Sequence, residues 1–100
     1  MTNRLGESSG ATCFVDDEAG YAGWLRAHVA GYVLNCHRQP QASYLVLHRA
    51  TCHTISGIPA RGLSWTVDYA KVCSDSATSL SAWALEKTKG SVSRCGVCSP

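Results

Sequence analysis

Tyr44-Leu45-Val46-Leu47-His48-Arg49-Ala50-Thr51-Cys52 is the stretch on which the fold turns. Its first six residues have the aromatic, aliphatic and β-branched character of a strand. Period-two alternation places Tyr44, Val46 and His48 on one face and Leu45, Leu47 and Arg49 on the other. His48 therefore stands where the strand ends, and Cys52 follows after three intervening residues. Upstream, Tyr32-Val33-Leu34-Asn35-Cys36 reads as a second strand. The polar segment His37–Ser43 between them is broken by Pro40, so the two strands form an antiparallel hairpin with a basic loop at Arg38.

Further out, the pattern changes period. Asp16-Asp17-Glu18 offers an N-cap and an acidic first turn, and Tyr21, Trp24, Leu25, His28 and Val29 then recur at helical spacing. The spacing predicts a helix over about 17–30, stopped at Gly31. Ser56–Gly62 is a Gly/Pro loop holding Arg61, and Ser64–Val72 has strand-like composition around Trp65, Tyr69 and Lys71. A second helix is expected from Ser74-Asp75 to Lys89, with Leu80, Trp83, Ala84 and Ala77 on one face and Gly90 closing it. The first 12 residues read as a flexible polar tail and 13–100 as one domain.

The chain has 100 residues, of which 45% are hydrophobic and 16% charged, with a net charge of +2. That composition excludes a disordered chain. The longest apolar runs, Tyr44–Leu47 and Ala82–Leu85, fall far short of the roughly 20 residues a bilayer span needs. Met1–Gly10 lacks the apolar stretch of a secretory signal, so a cytoplasmic protein is expected. In a reducing compartment, Cys13, Cys36, Cys52, Cys73, Cys95 and Cys98 are more often metal ligands or buried thiols than bridges.

Spacing sorts the six. Cys95-Gly96-Val97-Cys98 can wrap a tetrahedral zinc as a knuckle, and a knuckle is half a site. His48 and Cys52 supply the other half as a second close pair. The candidate ligands of Zn2+ are His48, Cys52, Cys95 and Cys98. Cys73 is an alternative to His48, since zinc accepts nitrogen or thiolate sulfur. It ranks second because it has no close partner in sequence. Cys13 and Cys36 read as unliganded. A redox role for Cys95 and Cys98 is disfavoured because no helix follows them to lower a thiol pKa. The expected fold is α+β: a small antiparallel sheet of three or four strands, two helices and a zinc knuckle at the C-terminus.

Two parts of this pattern together, Leu47-His48-Arg49-Ala50-Thr51-Cys52 and Arg94-Cys95-Gly96-Val97-Cys98-Ser99-Pro100, resemble the zinc-binding domain of the Ada type over about residues 44–100. The resemblance implies one shared zinc and contact with DNA backbone. In the DNA-repair members the position of His48 is a cysteine whose zinc-bound thiolate accepts a methyl group. An imidazole held on zinc is not an equivalent nucleophile, so methyl transfer is not implied here. The segment between the ligand pairs is also longer than is usual in that family and contains Cys73, which keeps the all-cysteine alternative open.

No phosphate loop, nucleophile elbow or His-Glu metal motif occurs, and four protein ligands would close a zinc site to substrate. The chain is therefore read as a non-catalytic module. Residues 25–61 contain four Arg, all four His and no acid, which suggests an anionic partner. The expected function is nucleic-acid binding, with DNA as the expected partner and modified or damaged DNA among its forms. Arg38, Arg49, Arg61, Lys71 and Arg94 would meet phosphates, and Trp65 and Tyr69 would stack on bases. The alternative is a structural zinc module for protein–protein interaction, including a dimer. No membrane partner is expected.

Overall fold

A computed structural model describes residues 10–57 and 64–100. Its elements run β1 (Thr12–Phe14), α1 (Glu18–Ala27), β2 (Tyr32–His37), β3 (Leu45–Arg49), β4 (Tyr69–Ser74), α2 (Ala77–Thr88) and β5 (Ser93–Arg94). The five strands make one sheet in the order β1-β4-β2-β3-β5.

The α+β class and the β2–β3 hairpin agree with the sequence reading. The hairpin register sets Val33 opposite His48 and Asn35 opposite Val46. The sheet is nevertheless mixed rather than purely antiparallel, because β5 runs parallel to β3. The cause is topological. Strand β4 is antiparallel to β2, as β3 is, so β3 and β4 share a direction. Helix α2 then carries the chain back along the sheet, and β5 leaves it in the direction of β4. Two strands escape the sequence patterns because they are only three and two residues long. Ala11 and Thr12, left in the tail by sequence, belong to the fold: Ala11 is fully buried and Thr12 pairs with Cys73.

Local chemistry explains the shifted boundaries. Helix α1 starts where the Asp17 carboxylate accepts from the Gly20 N–H at 2.8 Å. Helix α2 begins at Ala77 rather than near Ser74 because Ser76 is its cap, accepting from the Ser79 N–H. It ends on Lys89 in the left-handed region. Residues 64–68 are not strand. The Trp65 and Thr66 N–H groups donate to the Glu18 carboxylate instead of to a neighbouring strand, so β4 starts only at Tyr69.

The sheet is covered on both faces. Against α2 pack Leu34, Cys36, Leu45, Leu47, Ala70 and Val72, with Leu80, Trp83 and Ala84 from the helix. Removal of that much apolar surface from water is the main stabilising term of the domain. The opposite face presents three cross-strand rows, reading from β4 through β2 to β3: Cys73–Val33–His48, Lys71–Asn35–Val46, and Tyr69–His37 continued by Tyr44. Tyr21 of α1, Ile55, Cys52 and Cys95 pack with Val33 and Cys73 of the first row.

Candidate metal centre

His48 is the penultimate residue of β3 and lies on the α1 face, 5% exposed. The chain then turns sharply, with the Ala50 N–H donating to the Gly31 carbonyl and the Cys52 N–H to the Arg49 carbonyl. That turn swings the Cys52 thiol back under the imidazole. The second pair arrives from β5. The Cys95 N–H donates to the Leu47 carbonyl at 2.8 Å, which docks the knuckle beside the end of β3.

One ligand atom from each of His48, Cys52, Cys95 and Cys98 falls within 4.8 Å of the others, and all but the half-buried Cys98 are buried. A tetrahedral ion with metal–sulfur bonds of about 2.3 Å holds its sulfurs about 3.8 Å apart. The Cys52 and Cys95 sulfurs are 4.0 Å apart. The imidazole supplies a stronger test of fit. Among the described residues, His48 Nε2 is the one buried side-chain nitrogen or oxygen that has no hydrogen-bond partner. Burying such an atom unpaired costs about 1–3 kcal/mol, and coordination would satisfy it. These four residues can hold a metal ion.

Supporting groups orient the donors. The Thr54 hydroxyl lies 3.4 Å from His48 Nδ1 and 3.0 Å from the Cys52 sulfur, leaving Nε2 as the ring nitrogen available to an ion. Burial, reinforced by the Lys71 charge, pushes His48 down to about 4, so the imidazole is neutral at pH 7, as a ligand must be. Backbone N–H groups point at the knuckle sulfurs: Val97 donates to Cys95 at 3.3 Å and Arg49 to Cys98 at 3.2 Å. The Cys98 and Val97 amides hold the Cys95 thiol below its ordinary value. The Arg49 guanidinium curls over the same turn and donates to the Cys98 and Ser99 carbonyls.

Register separates Cys73 from the cluster that contains His48. Cys73 lies in the same cross-strand row as His48 but two strands away, with Val33 between them, and it is outside the cluster. Burial pushes the Cys73 thiol well above its usual range and Cys36 up to about 12, which suits inert core thiols. Cys13 is exposed on β1.

The residues expected to meet nucleic acid do not form one patch. Arg38 is bidentate to Asp16 and also donates to the Val67 carbonyl. Lys71 is 2% exposed and points inward, where its ammonium donates to Asn35 Oδ1 at 2.8 Å and to the Trp65 carbonyl at 2.7 Å. From there it presents no charge to a phosphate. Its position on a strand covered on both faces explains why: with Trp65 folded over the α1 face, a residue that reads as solvated surface is enclosed. Burial lowers it to about 8. Arg94 and His53 are exposed, and Arg94 borders a groove shared with Tyr32, Thr78 and Ser81. Trp65 is half-buried, its indole N–H donating to the Gly57 carbonyl, and Tyr69 is 39% exposed. Arg61 lies outside the described residues.

One contributor to the centre was not legible in sequence. Thr54, which touches both His48 and Cys52, carries no motif signal. Among the described residues no helix is long and apolar enough to cross a membrane. Compared with family models, with curated proteins and with solved structures, the chain matches none. Its chemistry is therefore assigned from the donor cluster itself.

Proposed function

We propose that the chain is a zinc-stapled, non-catalytic module that binds nucleic acid. The observation that carries the zinc reading is the buried, unpartnered His48 Nε2 beside three thiols. Three sulfurs and one nitrogen in a compact cluster suit Zn2+ among the common divalent ions, and magnesium and calcium, which take oxygen ligands, not at all. With all four positions taken by protein, the ion serves structure. When bound, the ion would tie the two segments together, and the residues that surround it fix the orientation of the four donors.

The partner is inferred from charge. The two segments that build the centre, 45–57 and 93–100, contain Arg49, His53 and Arg94 and no Asp or Glu. The likeness of residues 44–100 to the Ada-type zinc domain points the same way. With Arg38 paired to Asp16 and Lys71 turned inward, the phosphate contacts fall to this knuckle edge, and few contacts mean a shallow salt dependence, a slope of about −2 to −3. The same scarcity of free charge favours the second reading, a structural zinc module that meets another protein.

Native mass spectrometry of reduced protein should find one zinc per chain. Fluorescence anisotropy of that protein with labelled duplex and single-stranded oligonucleotides over a salt series should show binding that weakens with salt and is lost in Arg94→Glu. A metal-free folded chain would remove the zinc reading. Anisotropy that stays flat at low salt would remove nucleic acid and leave the protein-interaction module.

A further inference from the structure

The three thiols of the cluster are not equally sheltered. Cys52 and Cys95 are 4% and 8% exposed, whereas Cys98 is half-buried. The Cys52 sulfur also has the Thr54 hydroxyl 3.0 Å away. Cys95 and Cys98 share one turn, closed by the Ser99 N–H donating to the Cys95 carbonyl at 3.0 Å. The sulfur most open to a small solute therefore has a second thiol within its own turn. An accessible thiol beside a resolving cysteine is the arrangement on which oxidation acts selectively. Cys13 is exposed as well, yet it lies on β1 outside the cluster, where no metal would hold it as a thiolate.

The disulfides open to the cluster have opposite consequences. A bond between Cys52 and Cys95, whose sulfurs are 4.0 Å apart, would join the same two segments that the ion joins and leave the C-terminus fastened. A bond between Cys95 and Cys98 would close only within the knuckle. It would leave His48 and Cys52 as the remaining donors, half of what a structural zinc site needs. The absence of a helix after Cys98 argues against a redox catalyst, whose free thiol must be acidified. It does not protect a thiol that coordination already holds deprotonated.

We propose that Cys98 and Cys95 form a peroxide-responsive switch that releases the metal and, with it, the C-terminal segment. The inference rests on the zinc reading above. The Cys98 thiolate gives an electron pair to one oxygen of hydrogen peroxide; the O–O bond breaks, hydroxide leaves, and a sulfenic acid remains at Cys98. The Cys95 thiolate then attacks that sulfur. The S–S bond forms, the S–O bond breaks, and a second hydroxide leaves. Two electrons have passed from two sulfurs to the peroxide, and the hydroxides take two protons from solvent to become water. With two thiolates gone, the ion is no longer retained. The segment 93–100 keeps only the packing of Cys95, the Cys95 N–H on Leu47 and the Arg49 contacts. A dithiol reductant returns the bond to two thiols, becoming a disulfide itself, and zinc can then rebind.

The test treats the full, zinc-loaded chain with hydrogen peroxide, follows zinc release with a chromogenic chelator, and weighs tryptic peptides after alkylation of the free thiols. Cleavage after Arg94 isolates residues 95–100, which hold both knuckle cysteines and no other. That peptide should appear unalkylated and lighter by two hydrogens, with Cys52 alkylated and one zinc released per disulfide. Cys98→His, which offers the metal a nitrogen in place of the oxidisable sulfur, should release zinc at least about tenfold more slowly, and Cys13→Ser should release it at the wild-type rate. If Cys98→His does not load, the wild-type peptide map decides. Amide exchange at Cys95 should quicken at least about tenfold on oxidation and recover with reductant and zinc. A peptide that cross-links Cys52 to either knuckle cysteine overturns the switch, as does wild-type release from Cys98→His. Zinc that is bound but stays in place under peroxide sinks the switch and leaves the zinc reading standing. A chain that never binds zinc takes both.

Discussion

Withdrawing the metal should unfasten the C-terminal segment, and the size of the effect follows from what the ion joins. Cys52 and Cys95 stand 43 residues apart in sequence. Treated as a cross-link, closure of a loop that long restricts the unfolded chain by about 4 kcal/mol in the chain-entropy account. Leaving His48 Nε2 buried without a partner adds about 1–3 kcal/mol. What remains to hold the knuckle is the packing of Cys95 on the core, a two-residue strand and the Arg49 contacts to Cys98 and Ser99. The sum, about 5–7 kcal/mol, matches the entire stability of a weakly stable domain. At about 4–8 °C per kcal/mol for a chain of this size, the melting temperature should fall by roughly 20 °C or more. The assay is calorimetry of reduced protein with and without excess chelator, followed by zinc re-addition, which should restore the transition. His48→Ala should melt low in both conditions. Superimposable melts of chelated and zinc-loaded protein, in the presence of reductant, would refute the assignment of these four residues as a metal centre.

Other outcomes test the fold. Lys71 should make stability depend on pH. Its folded value of about 8 lies below the roughly 10.4 of the unfolded chain, so between those values the unfolded chain binds the extra proton and stability rises with pH, by about 3 kcal/mol in all. Urea titrations at the two ends of that window should show the rise in the wild type relative to Lys71→Met; a difference that does not move with pH would contradict its burial. Gly31→Ala should cost about 1–3 kcal/mol, because its Cβ would stand 2.7 Å from the Trp24 ring and 3.1 Å from the Ser74 carbonyl, and chemical denaturation would register the loss. Leu80→Ala, which opens a cavity between α2 and the sheet, should cost about 2–5 kcal/mol by the same measurement.

How much could be read in advance depended on the range of the interaction. The ligand set was legible because it comes as two local pairs, His48 with Cys52 and Cys95 with Cys98, whose spacing carries the chemistry. Strands β2 and β3 and both helices carry their own hydrophobic periods. Short edge strands do not, so β1 and β5 were invisible, and with β5 went the mixed character of the sheet. Lys71 and Arg38 were misleading for a related reason. A cation in a sequence looks solvated until its partner is known, and those partners, Trp65 and Asn35 for one and Asp16 for the other, lie on different elements. Glu18 illustrates the same point from the acidic side. It reads as a first-turn residue of α1, yet burial of its carboxylate is outweighed by hydrogen bonds from the Thr66 hydroxyl and the Trp65 and Thr66 amides, which hold it below its usual range.

The two-residue β5 also bears on self-association. It shields the backbone of β3, whose Leu45, Val46 and Leu47 would otherwise form the outer margin of the sheet with unpaired N–H and C=O groups. So short a cover has little adhesion of its own, and an ion held by the four ligands at its end would keep it in place. Loss of the metal and opening of that margin are then a single event, and what it uncovers is an apolar template for a second chain. On the zinc reading, metal supply would then govern solubility as well as fold: the loaded chain would have a capped sheet, and the stripped one an adhesive edge.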